Sequence, residues 1–156
     1  DLSIAGHPKL QCVVMGTNEV AKELQARHRT DRLPLQTSLG LCLLAAKAYG
    51  LAIVDGVYNA FKDDERLQVE CEQGRDMGFD GKTLIHPAQI DVTNAAFSPT
   101  DKEVELARRQ IDAFQAAEAA GQGVAVVDGK IVENLHVATA RDTLAKVDAI
   151  AALATE

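Results

Sequence analysis

The chain lacks a surplus of positive charge. Its 156 residues include 23 Asp and Glu against 16 Lys and Arg, which gives a formal net charge of -7 at pH 7. Because nucleic-acid backbones bind to basic surfaces, we expect no nucleic acid as the main partner. Local basic positions for a small anionic ligand are compatible with this balance.

Long apolar runs are absent as well. No segment approaches the ~20 residues that a helix needs to span a bilayer, and no basic region followed by an apolar core opens the sequence. The three cysteines lie far apart without a CxxC pair, which argues against a zinc site and a disulfide framework. We therefore expect no membrane partner, a reducing, cytoplasmic location, and cysteines that are buried or half-buried.

Common catalytic and nucleotide-binding signatures are missing too. GxGxxG, GxxxxGK[ST] and GxSxG do not occur, and the histidines lack HxxxH or HExxH spacing. These absences remove the main sequence support for a nucleotide-binding fold, a serine hydrolase and a histidine-based metal site. The hydrophobic content of 47% nevertheless excludes a mainly disordered chain.

Short apolar runs alternate with helical patterns in the first hundred residues. The first run, LQCVVM, is typical of a parallel strand buried on both faces. In the third helical segment, Leu67 and Cys71 are expected to face the core and Glu70 to stay in solvent, with Gly78 ending the helix. Strands are predicted at 10–15, 51–54 and 83–85, and helices at 19–29, 39–49 and 64–77. This alternation indicates an α/β fold with a parallel sheet.

The sequence after Pro99 breaks this rhythm. Thr100 can cap a long helix over 101–120, and Asp128-Gly129 is favoured in the tight turn of a β-hairpin. A last helix is predicted over 137–153. We expect residues 101–156 to form a helix–hairpin–helix extension that serves as a lid or in oligomer contacts.

Polar side chains follow each predicted strand. The carboxyl ends of parallel barrel strands are the usual location of catalytic groups. A carboxylate such as Glu19 suits a hard cation such as Mg²⁺. A cation, an imidazole and an amide suit an anionic, phosphate-bearing or carbonyl substrate. The candidates are Glu19 after the first strand, Asp55 after the second, and Lys82, His86 and Gln89 around the third.

Each candidate also has a purely structural interpretation. Glu19 could simply complement a helix dipole, and Asp55 could belong to an Asp-Gly turn. His86 before Pro87 could end a strand with its imidazole hydrogen-bonded to the backbone. Glu133, just after the hairpin, could act as an acid or base, or be an ordinary surface residue. The pattern alone leaves these alternatives open.

Four stretches resemble, in order, the C-terminal half of the malyl-CoA lyase and citrate lyase β-subunit family, within the HpcH/HpaI aldolase group. They read VVMGTNEVAKEL, AIVDGVYNAFKDD, GFDGKTLIHPAQIDVTNAAFSPT and ARRQIDAFQAAEAAGQGVAVVDGKIVENLHVATAR. The resemblance covers essentially the whole chain, and the third stretch is the most specific. It implies that residues 1–100 form the C-terminal part of a (β/α)₈ TIM barrel.

The resemblance also implies Mg²⁺, with Mn²⁺ as the other candidate, at the mouth of the barrel. Glu19 matches one metal carboxylate of the family. The family's other metal carboxylate and its substrate-gripping arginine come from strands earlier than Asp1, so we expect a preceding segment or a complementing half. Contacts to substrate or CoA are then expected from Asp55, Lys82, His86 and Gln89.

Glu133 matches a family acid that a neighbouring subunit delivers for catalysis, so a homo-oligomer, trimer or hexamer, is implied. Two departures stand out: Glu19 replaces the usual aspartate, and GKIVE with Glu133 replaces the usual GKMID. Both side chains are one methylene longer. Displacing a carboxylate by about 1 Å can alter catalysis strongly, which favours a changed activity or a weakened lyase.

The implied activity is reversible cleavage of a malyl-CoA-type 3-hydroxyacyl-CoA to an acyl-CoA and a 2-oxo acid such as glyoxylate, or hydrolysis of the malyl-CoA thioester. Two alternatives stay open. One is an aldolase of the same group that does not use CoA. The other is a non-catalytic CoA-binding or assembly module that lacks the upstream metal ligand.

Overall fold

The computed structural model describes residues 6–153. It divides into two compact units, one ending at Phe97 and the other beginning at Ser98. In chain order the elements are β1 (Cys12–Val14), α1 (Thr17–Glu23), a 3₁₀ turn (Leu33–Leu35), α2 (Gln36–Ala48), β2 (Ala52–Asp55), α3 (Asp64–Met77), β3 (Gly81–Lys82), a 3₁₀ turn (Pro87–Gln89), α4 (Ile90–Phe97), α5 (Asp101–Ala119), β4 (Ala125–Val127), β5 (Lys130–Val132) and α6 (Asn134–Leu153). None of the helices within 6–153 is long and apolar enough to cross a bilayer.

The first unit contains a three-stranded parallel sheet in the order β1-β2-β3. Val13 pairs with Ile53, and Asp55 pairs with Lys82. Consecutive strands are therefore neighbours, and helices connect them. This arrangement confirms the predicted α/β class.

The prediction that the first strand is buried on both faces is wrong. Val14 is 58% exposed and Cys12 is also exposed, whereas Ile53 on the adjacent strand is 0% exposed. Side chains alternate between the faces of a sheet, and the helices of this unit pack only on the face that carries Ile53. The other face has no cover within the described part of the unit.

The third strand is shorter and earlier than predicted. It comprises Gly81–Lys82, which pair with Val54 and Asp55, the last two residues of β2. The Thr83 amide still donates to the Asp55 carbonyl at 2.9 Å. The predicted residues 83–85 therefore belong to the loop after the strand.

Helix α1 also ends earlier than expected, at Glu23 rather than Arg29. Gln25 adopts φ 52°, and the Ala26 amide donates to the Ala21 carbonyl at 2.8 Å. A left-handed residue with this hydrogen bond is the usual end of a helix. The following residues therefore form a loop, which leads to the buried Arg32.

Helix α3 matches its prediction over residues 64–77. The Asp63 carboxylate accepts from the Arg66 amide at its start, and Gly78 with φ 107° ends it. Leu67 and Cys71 are buried as expected. Glu70 is not solvated as predicted, because its side chain is only 14% exposed and pairs with a buried lysine. Helix α4 was not predicted.

The second unit has the predicted helix–hairpin–helix order. Thr100 and Glu103 form a capping box at the start of α5. Asp128 and Gly129, with φ 51° and 74°, make the turn between β4 and β5, as two-residue hairpins favour. The core of this unit contains Phe114, Ala117, Ala125, Val127, Val132 and Val137.

Candidate functional site

The loops after the three parallel strands meet at one edge of the sheet. A Cβ at Gly56 would lie 2.8 Å from the Met15 carbonyl oxygen and would also collide with Thr17. Glycine is therefore what lets the loop after β2 approach the loop after β1. The amides of Asn18 and Asn59 then join the two loops through reciprocal hydrogen bonds of 3.3 and 2.9 Å.

A buried cluster of charges lies beneath these loops, centred on Asp55. Arg32 Nη1 lies 2.6 Å and Lys82 Nζ 3.4 Å from Asp55 Oδ2. The Gly56 amide donates to Asp55 Oδ1 at 2.8 Å. Lys82 Nζ is also 2.6 Å from Glu70 Oε1. The two cations and two carboxylates offset one another, as buried charges require.

Asp55 and Lys82 were predicted to contact substrate or CoA, and that role stays a prediction. The structure places both side chains at 0% exposure, with their polar atoms bonded within the protein. Helix α3 can pack over the Asp55 carboxylate because position 74 is glycine, where a Cβ would lie 3.0 Å from Oδ2. In this arrangement the ion pair between Asp55 and Lys82 joins the ends of β2 and β3.

His86 and Gln89 lie on the loop after β3. The His86 ring stacks on Phe61 with centroids 4.4 Å apart, and its Nδ1 accepts from the Ala88 amide at 3.1 Å. The backbone-bonded alternative for His86 is thus observed, while Nε2 of the exposed ring has no partner among residues 6–153. Gln89 is fully buried and bridges the Ile85 amide and the Tyr58 carbonyl.

Glu19 lies in the first turn of α1 and is exposed. Its carboxylate lies over Gly16, where a Cβ would be 2.8 Å from Oε2. Within the described residues it has no ion pair, so it is free to bind a cation. No group of three His, Cys, Asp or Glu side chains that could hold a metal occurs in residues 6–153. The described residues therefore offer one carboxylate at this position rather than a complete metal site.

Glu133 belongs to the second unit, between β5 and α6. Its amide donates to His136 Nδ1 at 3.0 Å and its carbonyl accepts from the amides of His136 and Val137. The backbone of Glu133 thereby caps the first turn of helix α6, which begins at Asn134. Its exposed carboxylate has no bonded partner in the part of the chain that the structure describes.

A cleft of about 480 Å³ opens beside the charge cluster in the first unit. Four arginines and a histidine line it, against a single carboxylate, Glu70. The basic residues are Arg27, His28, Arg29, Arg32 and Arg66. Sequence reasoning missed this site, although the stretch ARHRTDR holds three of these arginines in an acidic chain.

Arg29, Asp31 and Tyr58 have shifted pKa values around the cleft, and the hydrogen bond to Asp31 raises the pKa of the Arg29 guanidinium. The hydrogen bond from Arg29 lowers the pKa of the Asp31 carboxyl to about 2. Burial raises the pKa of the Tyr58 hydroxyl, which lies 3.5 Å from Asp63 Oδ2. A neutral tyrosine and an ionised aspartate paired with arginine leave the basic character of the lining in place at neutral pH.

Taken together, these features define an α/β protein with polar loops gathered at the carboxyl edge of a parallel sheet. The chain belongs to the HpcH/HpaI aldolase/citrate lyase family, whose model matches residues 2–87. The family resemblance read from the sequence is thus confirmed.

Two curated relatives illustrate the similarity. The (3S)-malyl-CoA thioesterase of Cereibacter sphaeroides is 72% identical over 149 residues, covering 96% of this chain and 52% of the relative. The citrate lyase subunit beta of Escherichia coli is 34% identical over 140 residues, covering 87% and 45%. The chain spans about half the length of the curated relatives it matches.

Solved structures agree with this family. CitE from Mycobacterium tuberculosis, crystallised with magnesium, acetoacetate and coenzyme A, matches with a TM-score of 0.76 and 27% identity over 93% of this chain and 55% of that one. A citrate lyase from Burkholderia xenovorans has a TM-score of 0.79 at 19% identity, covering 96% and 49%, and shows the fold alone.

Proposed function

We propose that the protein hydrolyses the thioester of malyl-CoA or a closely related 3-hydroxyacyl-CoA. The observation that carries this proposal is the 72% identity to a (3S)-malyl-CoA thioesterase over 96% of this chain. Because the chain spans 52% of that relative, the activity, substrate and partners of the whole protein are all part of the proposal.

In the proposed reaction a water oxygen attacks the thioester carbonyl carbon. The new C–O bond forms as the C–S bond breaks, and the CoA thiolate takes up a proton, so that malate and CoA are released. Glu133 is the proposed base that removes the proton from water. Its free, exposed carboxylate supports this role. We propose that a neighbouring subunit of a trimer or hexamer presents it.

Mg²⁺ is the proposed cofactor, with Mn²⁺ as the alternative. CitE was crystallised with magnesium, and Glu19 is a free carboxylate at the carboxyl edge of the sheet. The ion would polarise the substrate carbonyl as a Lewis acid. Mg²⁺ commonly keeps several waters and binds one or two carboxylates, so its other ligands would come from water, substrate and groups outside residues 6–153.

The four residues predicted to contact substrate divide into two groups in this proposal. His86, with an exposed ring and a free Nε2, contacts the substrate or CoA. We propose that Asp55, Lys82 and Gln89 also hold the loops in place, because their polar atoms are already bonded within the protein, and their contact with substrate or CoA stays a prediction. The sheet itself is proposed to be part of a (β/α)₈ barrel. Because three strands alone cannot close a barrel, its other strands would come from outside residues 6–153.

A second candidate activity is C–C cleavage of the same substrate to an acyl-CoA and glyoxylate. The 34% identity to citrate lyase subunit beta favours this lyase reaction. A non-catalytic CoA-binding or assembly module and an aldolase that does not use CoA are the remaining alternatives. The single Glu19 carboxylate, without a second metal ligand in residues 6–153, is what supports a module.

Release of CoA and release of glyoxylate from malyl-CoA, measured separately on the intact protein with Mg²⁺, distinguish these candidates. Hydrolysis gives CoA without glyoxylate, and lyase action gives glyoxylate and acetyl-CoA. Glu133→Gln should abolish hydrolysis, while Glu118→Gln, which removes an exposed carboxylate from the same unit, should not. An inactive wild-type protein, or a fully active Glu133→Gln variant, would reject the proposal.

A further inference from the structure

We propose that the basic cleft of the first unit binds a phosphate group of the CoA ester, with Arg27 as its principal side chain. The inference rests on the proposed function for the identity of the ligand, but its observations are independent. They concern the local charge, the geometry of Arg32 and the volume of the cleft.

The cleft is positive in a chain whose overall charge is negative. Arg29 is paired with Asp31 at 2.7 Å, and Arg66 faces Asp63 at 3.6 Å. Glu70, the carboxylate of the lining, is paired with the buried Lys82. Arg27 has no acidic partner in the described part of the chain. Its guanidinium therefore leaves the cleft with a cation that an anionic ligand can neutralise.

Arg32 gives the cleft a fixed floor. Its side chain is 5% exposed, with Nη1 bonded to Asp55 and Nε bonded to Gln73 Oε1 at 2.6 Å. Nη2 is buried and has no hydrogen-bond partner among the described residues. Leaving a buried guanidinium N–H without an acceptor costs free energy. In the proposed complex, an oxygen of the bound phosphate supplies the acceptor that Nη2 lacks.

The backbone at Arg32 supports the same interpretation. It has φ 51°, a left-handed conformation that side chains other than those of Gly, Asn and Asp rarely adopt. Strained residues persist where the surrounding structure holds them, and they often mark binding sites. Here the hydrogen bonds to Asp55 and Gln73 hold the guanidinium in place before any ligand arrives.

The chemistry of the lining favours phosphate over carboxylate. A phosphate group presents three oxygens in different directions and can accept from several guanidinium groups at once. Thr17, Thr30 and Tyr58 add hydroxyl groups, and Asn18 and Asn59 add amides. The volume of about 480 Å³ exceeds that of a single carboxylate and suits part of a nucleotide.

Calorimetry on the intact protein at low salt tests this assignment with CoA, 3′-dephospho-CoA and inorganic diphosphate as separate ligands. Arg27→Gln should weaken CoA binding by at least about tenfold, because a charge-assisted hydrogen bond is lost. Arg108→Gln removes an exposed arginine from the second unit and should leave it unchanged. Unaltered circular dichroism of both variants shows that the fold is kept.

The two nucleotide ligands locate the phosphate. An effect of Arg27→Gln on CoA alone assigns the 3′-phosphate, and an equal effect on CoA and 3′-dephospho-CoA assigns the diphosphate; both support the proposal. The proposal is overturned if Arg27→Gln and Arg108→Gln bind CoA with the same affinity, or if the wild-type protein binds no CoA. It is also overturned if Arg27→Gln weakens the binding of inorganic diphosphate but not that of CoA. If the protein hydrolyses malyl-CoA but Arg27→Gln does not change CoA binding, only the assignment of the cleft is rejected. If Arg27→Gln weakens CoA binding but the wild-type protein does not hydrolyse malyl-CoA, only the proposed activity is rejected.

Discussion

Arg32 Nη1 lies 2.6 Å from Asp55 Oδ2, and the two side chains are 5% and 0% exposed. The pair joins the loop after α1 to the end of β2. Arg32 lines the basic cleft, and Asp55 is the centre of the charge cluster beneath the strand-end loops. The geometry of the cleft therefore depends on a buried ion pair rather than on the loop alone.

Neutralising Asp55 should destabilise the fold strongly. Asp55→Asn leaves Arg32 and Lys82 facing a single carboxylate, and removal of one partner from a buried pair costs roughly 3–5 kcal/mol. The free energy of unfolding in urea measures the loss. Lys47→Gln is the control, because the Lys47–Asp80 pair at 2.8 Å is about half exposed and should contribute at most about 1 kcal/mol. A smaller loss for Asp55→Asn than for Lys47→Gln would contradict the prediction.

A methyl group at Gly56 should separate the loops after β1 and β2. Gly56→Ala places a Cβ 2.8 Å from a backbone oxygen that cannot move alone, so a loss of roughly 1–3 kcal/mol is expected from overpacking. Gly40→Ala, in the middle of α2 with open space around its Cβ, should instead stabilise the protein by about 0.5–1 kcal/mol. Equal thermal midpoints for the two variants would refute this.

The Asp31 carboxyl should titrate well below the usual range. Its pKa is lowered to about 2 by the hydrogen bond from Arg29, so its contribution to stability is present above pH 3.8 and is lost as the pH falls through about 2. Carboxyl NMR shifts measure the midpoint. Arg29→Gln should raise it towards 3.8, whereas Arg27→Gln should not. An unchanged midpoint in Arg29→Gln would show that the pair does not form in solution.

The sequence predicts the order of elements because periodicity and capping are local properties. Helix α3 is bounded by Asp63 and Gly78, residue types with strong preferences for those positions. Helix α1 ends instead at Glu23, just before Gln25 adopts a left-handed conformation, which the residue type of Gln25 does not favour. Its true end was therefore not visible in the sequence.

The buried charge cluster could not be predicted for a different reason. Arg32 is bonded to residues 23 and 41 positions away, and only the packing of α3 against the sheet brings them together. The polar groups at strand ends were recognisable as candidates. Whether each faces a ligand or the protein interior depends on these distant partners, as the opposite placements of Glu19 and Asp55 show.

Gln89 offers a test of how the loop after β3 is held. Its Oε1 accepts from the Ile85 amide at 3.1 Å and its Nε2 donates to the Tyr58 carbonyl at 2.9 Å. Gln89→Leu keeps a similar volume but leaves both backbone groups without these partners, at a cost of roughly 1–3 kcal/mol for each group that stays buried. Hydrogen exchange at the Ile85 amide should accelerate together with this loss.

The matched control for this loop is Gln68→Leu on α3. Gln68 donates to Glu72 at 2.7 Å on the exposed side of the helix, a pair expected to contribute at most about 0.5 kcal/mol. The two variants make the same chemical change, so a larger effect at position 89 isolates the buried bridge. If exchange at Ile85 is unchanged in Gln89→Leu, the bridge does not hold the loop, and the position of His86 must depend on its stacking with Phe61 instead.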